Sequence, residues 1–199
     1  MPLNAIRRIA TALDADIDVG IRWRGGALDR LLDDRHATLV GALANRLSAV
    51  GWEVATEVTY SHYGERGSID LLGFEPVTRS LLVNEVKTEI GSVEATARKH
   101  DEKVRLAASI ASERLGWHSA RVARLLVLPA DSTPRRQVAR HAAIFDRAYP
   151  LRGAALSAWL RLPDRSVAGL LFLSTTHQLS GGRVRVTGSA PAKRRRRRS

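Results

Sequence analysis

The fold is decided by the stretch from Trp52 to Lys87, which reads WEVATEVTYSHYGERGSIDLLGFEPVTRSLLVNEVK. Its apolar residues alternate with polar ones or form short runs, and turns rich in glycine, proline and polar residues separate these segments. The pattern predicts three strands in a meander, at residues 52–61, 68–74 and 81–87. In the first strand the alternation places one set of side chains on the same face: Trp52, Val54, Val58 and Tyr60.

Apolar residues recur at helical spacing on both sides of this meander. They predict a helix at 28–50 that ends at Gly51, and a second helix from Val93 to Gly116 with Ser92 as its N-cap. A helix between the third and fourth strands indicates a crossover connection, so we expect an α/β sandwich with a mixed sheet. The remaining predicted elements are strands at 122–128, 170–174 and 183–187, a helix from Thr133 towards Tyr149, and a short helix at 154–162.

Length and composition narrow the class of protein. A chain of 199 residues with 44% hydrophobic residues suggests one domain with short appendages. The absence of cysteine excludes disulfides, thiolate zinc sites and cysteine nucleophiles. No apolar segment follows the first arginines as in a signal peptide, and no run is long enough to cross a membrane. The expectation is a cytoplasmic protein.

The formal charge of +12 divides into two parts of different meaning. Half of it comes from the unbroken cationic run Lys193–Arg198, which predicts a disordered basic tail at 189–199. Through Lys193, Arg194 and Arg195 such a tail would bind DNA phosphates without sequence preference, although it could equally be a solubilising terminus. Lysine is rare among the 32 basic residues, and three of the four lysines fall between Lys87 and Lys103.

Two acids and a lysine interrupt the apolar strands of the meander. Glu85 and Lys87 are two residues apart on a strand, so their side chains leave the same face. Asp70 lies on the preceding strand, at a separation that lets a hairpin bring it beside Glu85. Adjacent carboxylates repel each other unless a cation lies between them, and Mg²⁺ prefers such oxygen ligands. A neighbouring lysine could orient the attacking water or stabilise charge on a phosphate. The pattern indicates a metal-dependent phosphodiesterase site.

The segments GERGSIDLL (64–72) and LVNEVKT (82–88) resemble the PD-(D/E)xK nuclease superfamily, which includes restriction-endonuclease-like proteins and Holliday-junction resolvases. The resemblance covers roughly residues 29–130. It implies a restriction-endonuclease-like α-β-β-β-α-β core, with a mixed central sheet flanked by helices, in a domain spanning 27–188. It further implies Asp70, Glu85 and the Val86 carbonyl as metal ligands and Lys87 as the catalytic lysine.

The same resemblance implies Mg²⁺ or Mn²⁺ as cofactor and DNA as substrate, in repair, recombination or defence. Related enzymes often act as homodimers. Lys99 and Lys103 lie where the superfamily often places a DNA-contacting or supporting residue. In the turn between glycines, Arg66 either binds a phosphate as a fork or pairs with Glu65.

One expected acid is missing. Many members of the superfamily carry a glutamate in the first core helix, where this chain offers only apolar residues. Glu57, Asp33 and His36 are candidates to replace it. Each also has an ordinary interpretation: an exposed strand position for Glu57, a solvated helix face for Asp33 and a half-buried helix residue for His36.

The N-terminal segment Pro2–Leu13, PLNAIRRIATAL, is similar to the last helix of a Cro-type helix-turn-helix regulator. It equally fits an ordinary amphipathic helix. We expect residues 1–26 to form this helix, at 3–13, and a strand at 16–23, as a helix-turn-helix remnant. The leading functional hypothesis is metal-dependent hydrolysis of DNA. The alternatives are a non-catalytic DNA-binding or transcriptional regulatory domain with the same fold, and a globular interaction domain.

Overall fold

A computed structural model describes residues 26–62 and 64–175 of the chain. The predicted elements at 3–13, 16–23 and 183–187 and the basic tail lie outside this part. The helices are α1 (Gly26–Ser48), α2 (Val93–Leu115), α3 (Ser132–Arg140), α4 (Ala142–Ala148) and α5 (Gly153–Arg161). The strands are β1 (Glu53–His62), β2 (Glu65–Glu75), β3 (Ser80–Val86), β4 (Arg121–Pro129), β5 (Leu151–Arg152) and β6 (Ala168–Leu173).

The strands form one mixed sheet in the order β1-β2-β3-β4-β6-β5. The first three are antiparallel neighbours, as the meander predicts, and β4 then runs parallel to β3 after the crossover through α2. β6 continues the parallel half of the sheet beside β4, and the short β5 pairs with its outer edge. The α/β class and the order helix, three strands, helix, strand are therefore confirmed.

Helices cover both faces of the sheet and bury its apolar side chains. On one face α1 and α5 pack against alternate residues of the central strands, with Leu43 and Leu47 fully buried there. On the other face α2 packs against β2 and β3, while α3 and α4 pack against β4. β3 is buried along its whole length because it lies in the middle of these layers. Among the described helices, none is both long and apolar enough to span a membrane.

The predicted face of the first strand is wrong in its second half. Trp52 and Val54 pack in the core beneath α1, but Val58 and Tyr60 pack in the core beneath α2. The change of face occurs at Glu57, whose φ of +51° lies in the left-handed region. Strict alternation requires extended backbone at every residue, so one left-handed residue reverses the pattern after it.

Other differences concern the limits of elements. β2 begins at Glu65, so Arg66 belongs to a strand and not to the predicted turn. The helix expected to run towards Tyr149 is two helices, because the backbone leaves helical geometry at His141. The short pairing strand β5 has no counterpart in the sequence-based prediction. The remaining predicted helices and strands within the described part are present, with ends shifted by a few residues.

Candidate functional site

The site begins where β2 and β3 separate. Their ladder ends at the pair Leu71 and Asn84, so the next pair, Asp70 and Glu85, is outside the regular backbone pairing. The Asp70 carboxylate takes the place of a backbone acceptor: the amide N–H of Val86 donates to Oδ2 at 2.7 Å. This bond fixes Asp70 against the end of β3 and satisfies a backbone donor that the separated strands leave free.

Glu85 lies at the centre of the site, with only 1% of its side chain exposed. Its Oε1 is 2.8 Å from Nζ of Lys87, which confirms that the two side chains share a face. Its Oε2 is 2.5 Å from Nζ of Lys103 on α2. Burial alone would raise the pKa of Glu85, but the ammonium groups of Lys103 and then Lys87 outweigh it and lower that pKa. Glu85 is therefore a carboxylate at neutral pH.

Lys103 connects the two acids. Its Nζ also lies 3.4 Å from Oδ1 of Asp70, so one ammonium group bridges carboxylates on adjacent strands. Together with the bonds from Lys87 and the Val86 amide, this leaves each of the four carboxylate oxygens with a positively charged or N–H partner. The cation expected between the acids is thus present as a side chain of the protein.

A buried histidine bonds α2 to the sheet. His100 is fully buried one turn before Lys103, and its Nε2 lies 3.1 Å from the carbonyl oxygen of Val83 on β3. Because a carbonyl only accepts, Nε2 carries the proton, and Nδ1 accepts from the Tyr149 hydroxyl at 3.0 Å. Burial lowers the pKa of His100 to about 4, so the ring is neutral. The bond joins the helix that carries Lys103 to the strand that carries Glu85.

A cleft of about 220 Å³ opens beside Glu85 between β1, β2 and α2. Arg66 and Lys99, both exposed, stand at its rim, while Glu85, Lys87 and Lys103 lie deeper. The lining therefore combines four cationic side chains with two acids, the buried Glu85 and the half-buried Glu102. A cationic lining of this kind attracts anions such as phosphate groups.

Two residues of this cleft were missed by the sequence analysis. The Tyr60 hydroxyl donates to Oε1 of Glu102 at 3.3 Å, joining β1 to α2 across the cleft. Burial, and after it the Glu102 carboxylate, raises the pKa of Tyr60, which keeps the hydroxyl protonated. For Glu102 the sequence did contain a signal: it lies three residues after Lys99, and therefore on the same side of the helix, and next to Lys103. Tyr60 had no signal, since the reversal at Glu57 changes its face.

The structure does not place the candidates for a third ligand, Glu57, Asp33 and His36, beside Asp70 and Glu85. Glu57 is level with Asp70 in the register of β1 and β2, but its side chain is exposed. Asp33 is exposed and His36 half-buried on α1, which packs on the opposite face of the sheet. Within residues 31–61 and 64–175, no three acidic or histidine side chains group closely enough to hold a metal. Glu65 forms its ion pair with Arg105, at 2.8 Å, instead of with Arg66.

The donor set fits a divalent cation in its chemistry. Oδ1 of Asp70 and Oε2 of Glu85 both point to one ammonium group, so two carboxylates already converge on a single cation position. Mg²⁺ uses one or two carboxylates and keeps several waters, which this pair would satisfy. The two acids would be the ligands. The backbone group of Val86 that contacts Asp70 is its N–H, so the expected role of the Val86 carbonyl as a third ligand stays a prediction.

Comparisons with known proteins add no family. No protein-family model matches the chain, and the search of curated proteins found no match.

Proposed function

We propose that the protein is a metal-dependent DNA endonuclease with a restriction-endonuclease-like core of the PD-(D/E)xK type. One observation carries the proposal: Asp70, Glu85 and Lys87 meet where two central strands separate, beside a cationic cleft. Two carboxylates that can share one metal ion, with a lysine beside them, are the groups that metal-dependent hydrolysis of a phosphodiester uses.

Each residue of the site has a defined part in this reaction. Asp70 and Glu85 would hold Mg²⁺ or Mn²⁺, which supplies Lewis-acid stabilisation and a water of lowered pKa when bound. Lys87, which is about one-third exposed, faces the cleft and would orient the attacking water and stabilise charge on the phosphate. Arg66 and Lys99 at the rim would hold the DNA backbone by charge, without reading sequence.

The direct test is incubation of purified protein with supercoiled plasmid, branched DNA and single-stranded DNA in Mg²⁺ or Mn²⁺. We expect nicking or cleavage of at least one substrate, and none when EDTA removes the metal. Intact DNA under all conditions, with a folded protein, would contradict the proposal. The form of DNA that is cut defines the substrate.

A second candidate function is DNA binding without hydrolysis. The observation that favours it is Lys103, whose ammonium group satisfies Asp70 and Glu85 without a metal. A domain that had lost catalysis could keep its folded site in this way. Binding of DNA that is independent of metal, together with no cleavage in either metal, would identify this function.

The rim cations should contribute to DNA binding in either case. Replacing Arg66 or Lys99 with alanine should weaken DNA binding about fivefold and lower the dependence on salt by about one ion per residue. Fluorescence anisotropy over a salt series measures both quantities. Arg161→Ala is the matched control, because it removes the same charge from the opposite face of the sheet. Equal losses in all three variants would show that the effect comes from net charge alone.

A further inference from the structure

The bridging lysine has a consequence for metal binding that depends on the proposed metal site. Nζ of Lys103 lies 2.5 Å from one Glu85 oxygen and 3.4 Å from one Asp70 oxygen. These are the two oxygens that converge, so a metal bound by both acids would need the place of the ammonium group. Two cations cannot share that place, because their repulsion at such a distance is large in a partly buried site.

The surroundings of Lys103 show that its charge is not an incidental surface contact. Only 12% of its side chain is exposed, and the side chains of its partners Asp70 and Glu85 are 14% and 1% exposed. His100 holds the helix one turn away, so α2 itself is fixed on the sheet. The lysine stem, however, is flexible and lines the cleft, which gives the ammonium group a route away from the acids.

We propose that Lys103 is an internal counter-cation that competes with the divalent metal for the position between Asp70 and Glu85. In the metal-free protein it bridges the two carboxylates, balances their charge together with Lys87 and keeps the site folded. A metal binds only as the ammonium group withdraws towards the cleft. Lys103 therefore lowers the affinity for metal, in contrast to a lysine that merely contacts DNA or supports the reaction.

The test is direct binding of Mn²⁺ without DNA, measured by the electron paramagnetic resonance signal of the free ion. Lys103→Met should bind Mn²⁺ at least about tenfold more tightly than the unmodified protein. Lys99→Met is the matched control, since it removes the same charge from an exposed position of the same cleft one turn earlier on α2. It should stay within about twofold. Adding Glu85→Gln to Lys103→Met should abolish the gain.

Equal affinities of the Lys103 and Lys99 variants would overturn the competition. If the unmodified protein cleaves DNA and Lys103→Met gains no affinity, only this inference fails. If Lys103→Met gains affinity through Glu85 but the unmodified protein cuts no DNA in either metal, the nuclease proposal fails and the competition stands.

Loss of the cation that bridges Asp70 and Glu85 could prevent Lys103→Met from folding. Lys103→Gln then serves, because its amide still donates to carboxylate oxygens but carries no charge. Its melting temperature should rise on addition of Mn²⁺ by more than that of the unmodified protein or of Lys99→Gln. No larger rise would show that Lys103 is only a structural ion-pair partner, and would overturn the proposal.

Discussion

Glu85→Gln should reduce DNA cleavage at least about a thousandfold while leaving the protein folded. Glutamine has the shape of glutamate, and its side-chain oxygen can still accept from Lys103. It removes the negative charge that would bind the metal at a buried position, where 1% of the side chain is exposed and water cannot replace it. Initial rates of plasmid nicking under saturating Mg²⁺ or Mn²⁺ measure the loss.

The matched control for this variant is Glu53→Gln. Glu53 is an exposed carboxylate at the beginning of β1, opposite Phe74 at the far end of the β1–β2 ladder. The Glu53→Gln variant should cleave DNA at the same rate as the unmodified protein. Lys87→Met should lower cleavage about a hundredfold or more, because it removes the ammonium group that is proposed to stabilise charge on the phosphate. Undiminished cleavage by Glu85→Gln would mean that the activity comes from another site or another protein.

The second large effect is a loss of stability in mild acid that originates at His100. Its folded-state pKa is about 4 against an ordinary value of 6.5, so between these values only the unfolded chain takes up the proton. At neutral pH both states are neutral and the histidine contributes no pH dependence. As the pH falls below 6.5, His100 takes up a proton in the unfolded state only, which stabilises that state. At about pH 5 the free energy of unfolding should have fallen by about 2 kcal/mol.

Urea unfolding at about pH 7.5 and at about pH 5 measures this loss. The lower pH lies above the range in which protonation of Glu85 destabilises the fold, since the pKa of Glu85 is below its ordinary value of 4.5. His100→Gln should be less stable at both pH values but should lose much less between them. His118→Gln, at an exposed histidine, should behave as the unmodified protein does. Parallel losses in the unmodified protein and His100→Gln would refute the assignment to His100.

The link between His100 and the site makes this measurement relevant to activity. His100 lies between Lys99 and Lys103 on α2. It bonds to Val83 of β3, which is two residues before Glu85 on that strand. Because the ring is neutral and bonded at both nitrogens, its protonation would leave a charge in the core and reverse the bond with the Tyr149 hydroxyl, which would then accept from Nδ1. The site and the stability of the fold therefore depend on the same buried contact.

Local sequence pattern determined the fold class and half of the site. Alternation in the first strand and short apolar runs in the next two indicated the meander, and two residues of separation on a strand are enough to place Glu85 and Lys87 on one face. The hairpin spacing brought Asp70 beside them, and the apolar periodicity of α2 indicated a crossover before β4. These features depend on neighbours close in the chain, which is why the sequence carries them.

Only the tertiary structure decided what lies between the acids and what surrounds them. Lys103 reaches Asp70 and Glu85 because α2 packs across the sheet, where His100 bonds to Val83, and no local pattern contains that packing. One left-handed residue reverses a strand face, so the pairing of Tyr60 with Glu102, 42 residues apart, was likewise not predictable. The physical reason is that side-chain charges meet through the packing of whole elements, whereas alternation and helical spacing describe one element at a time.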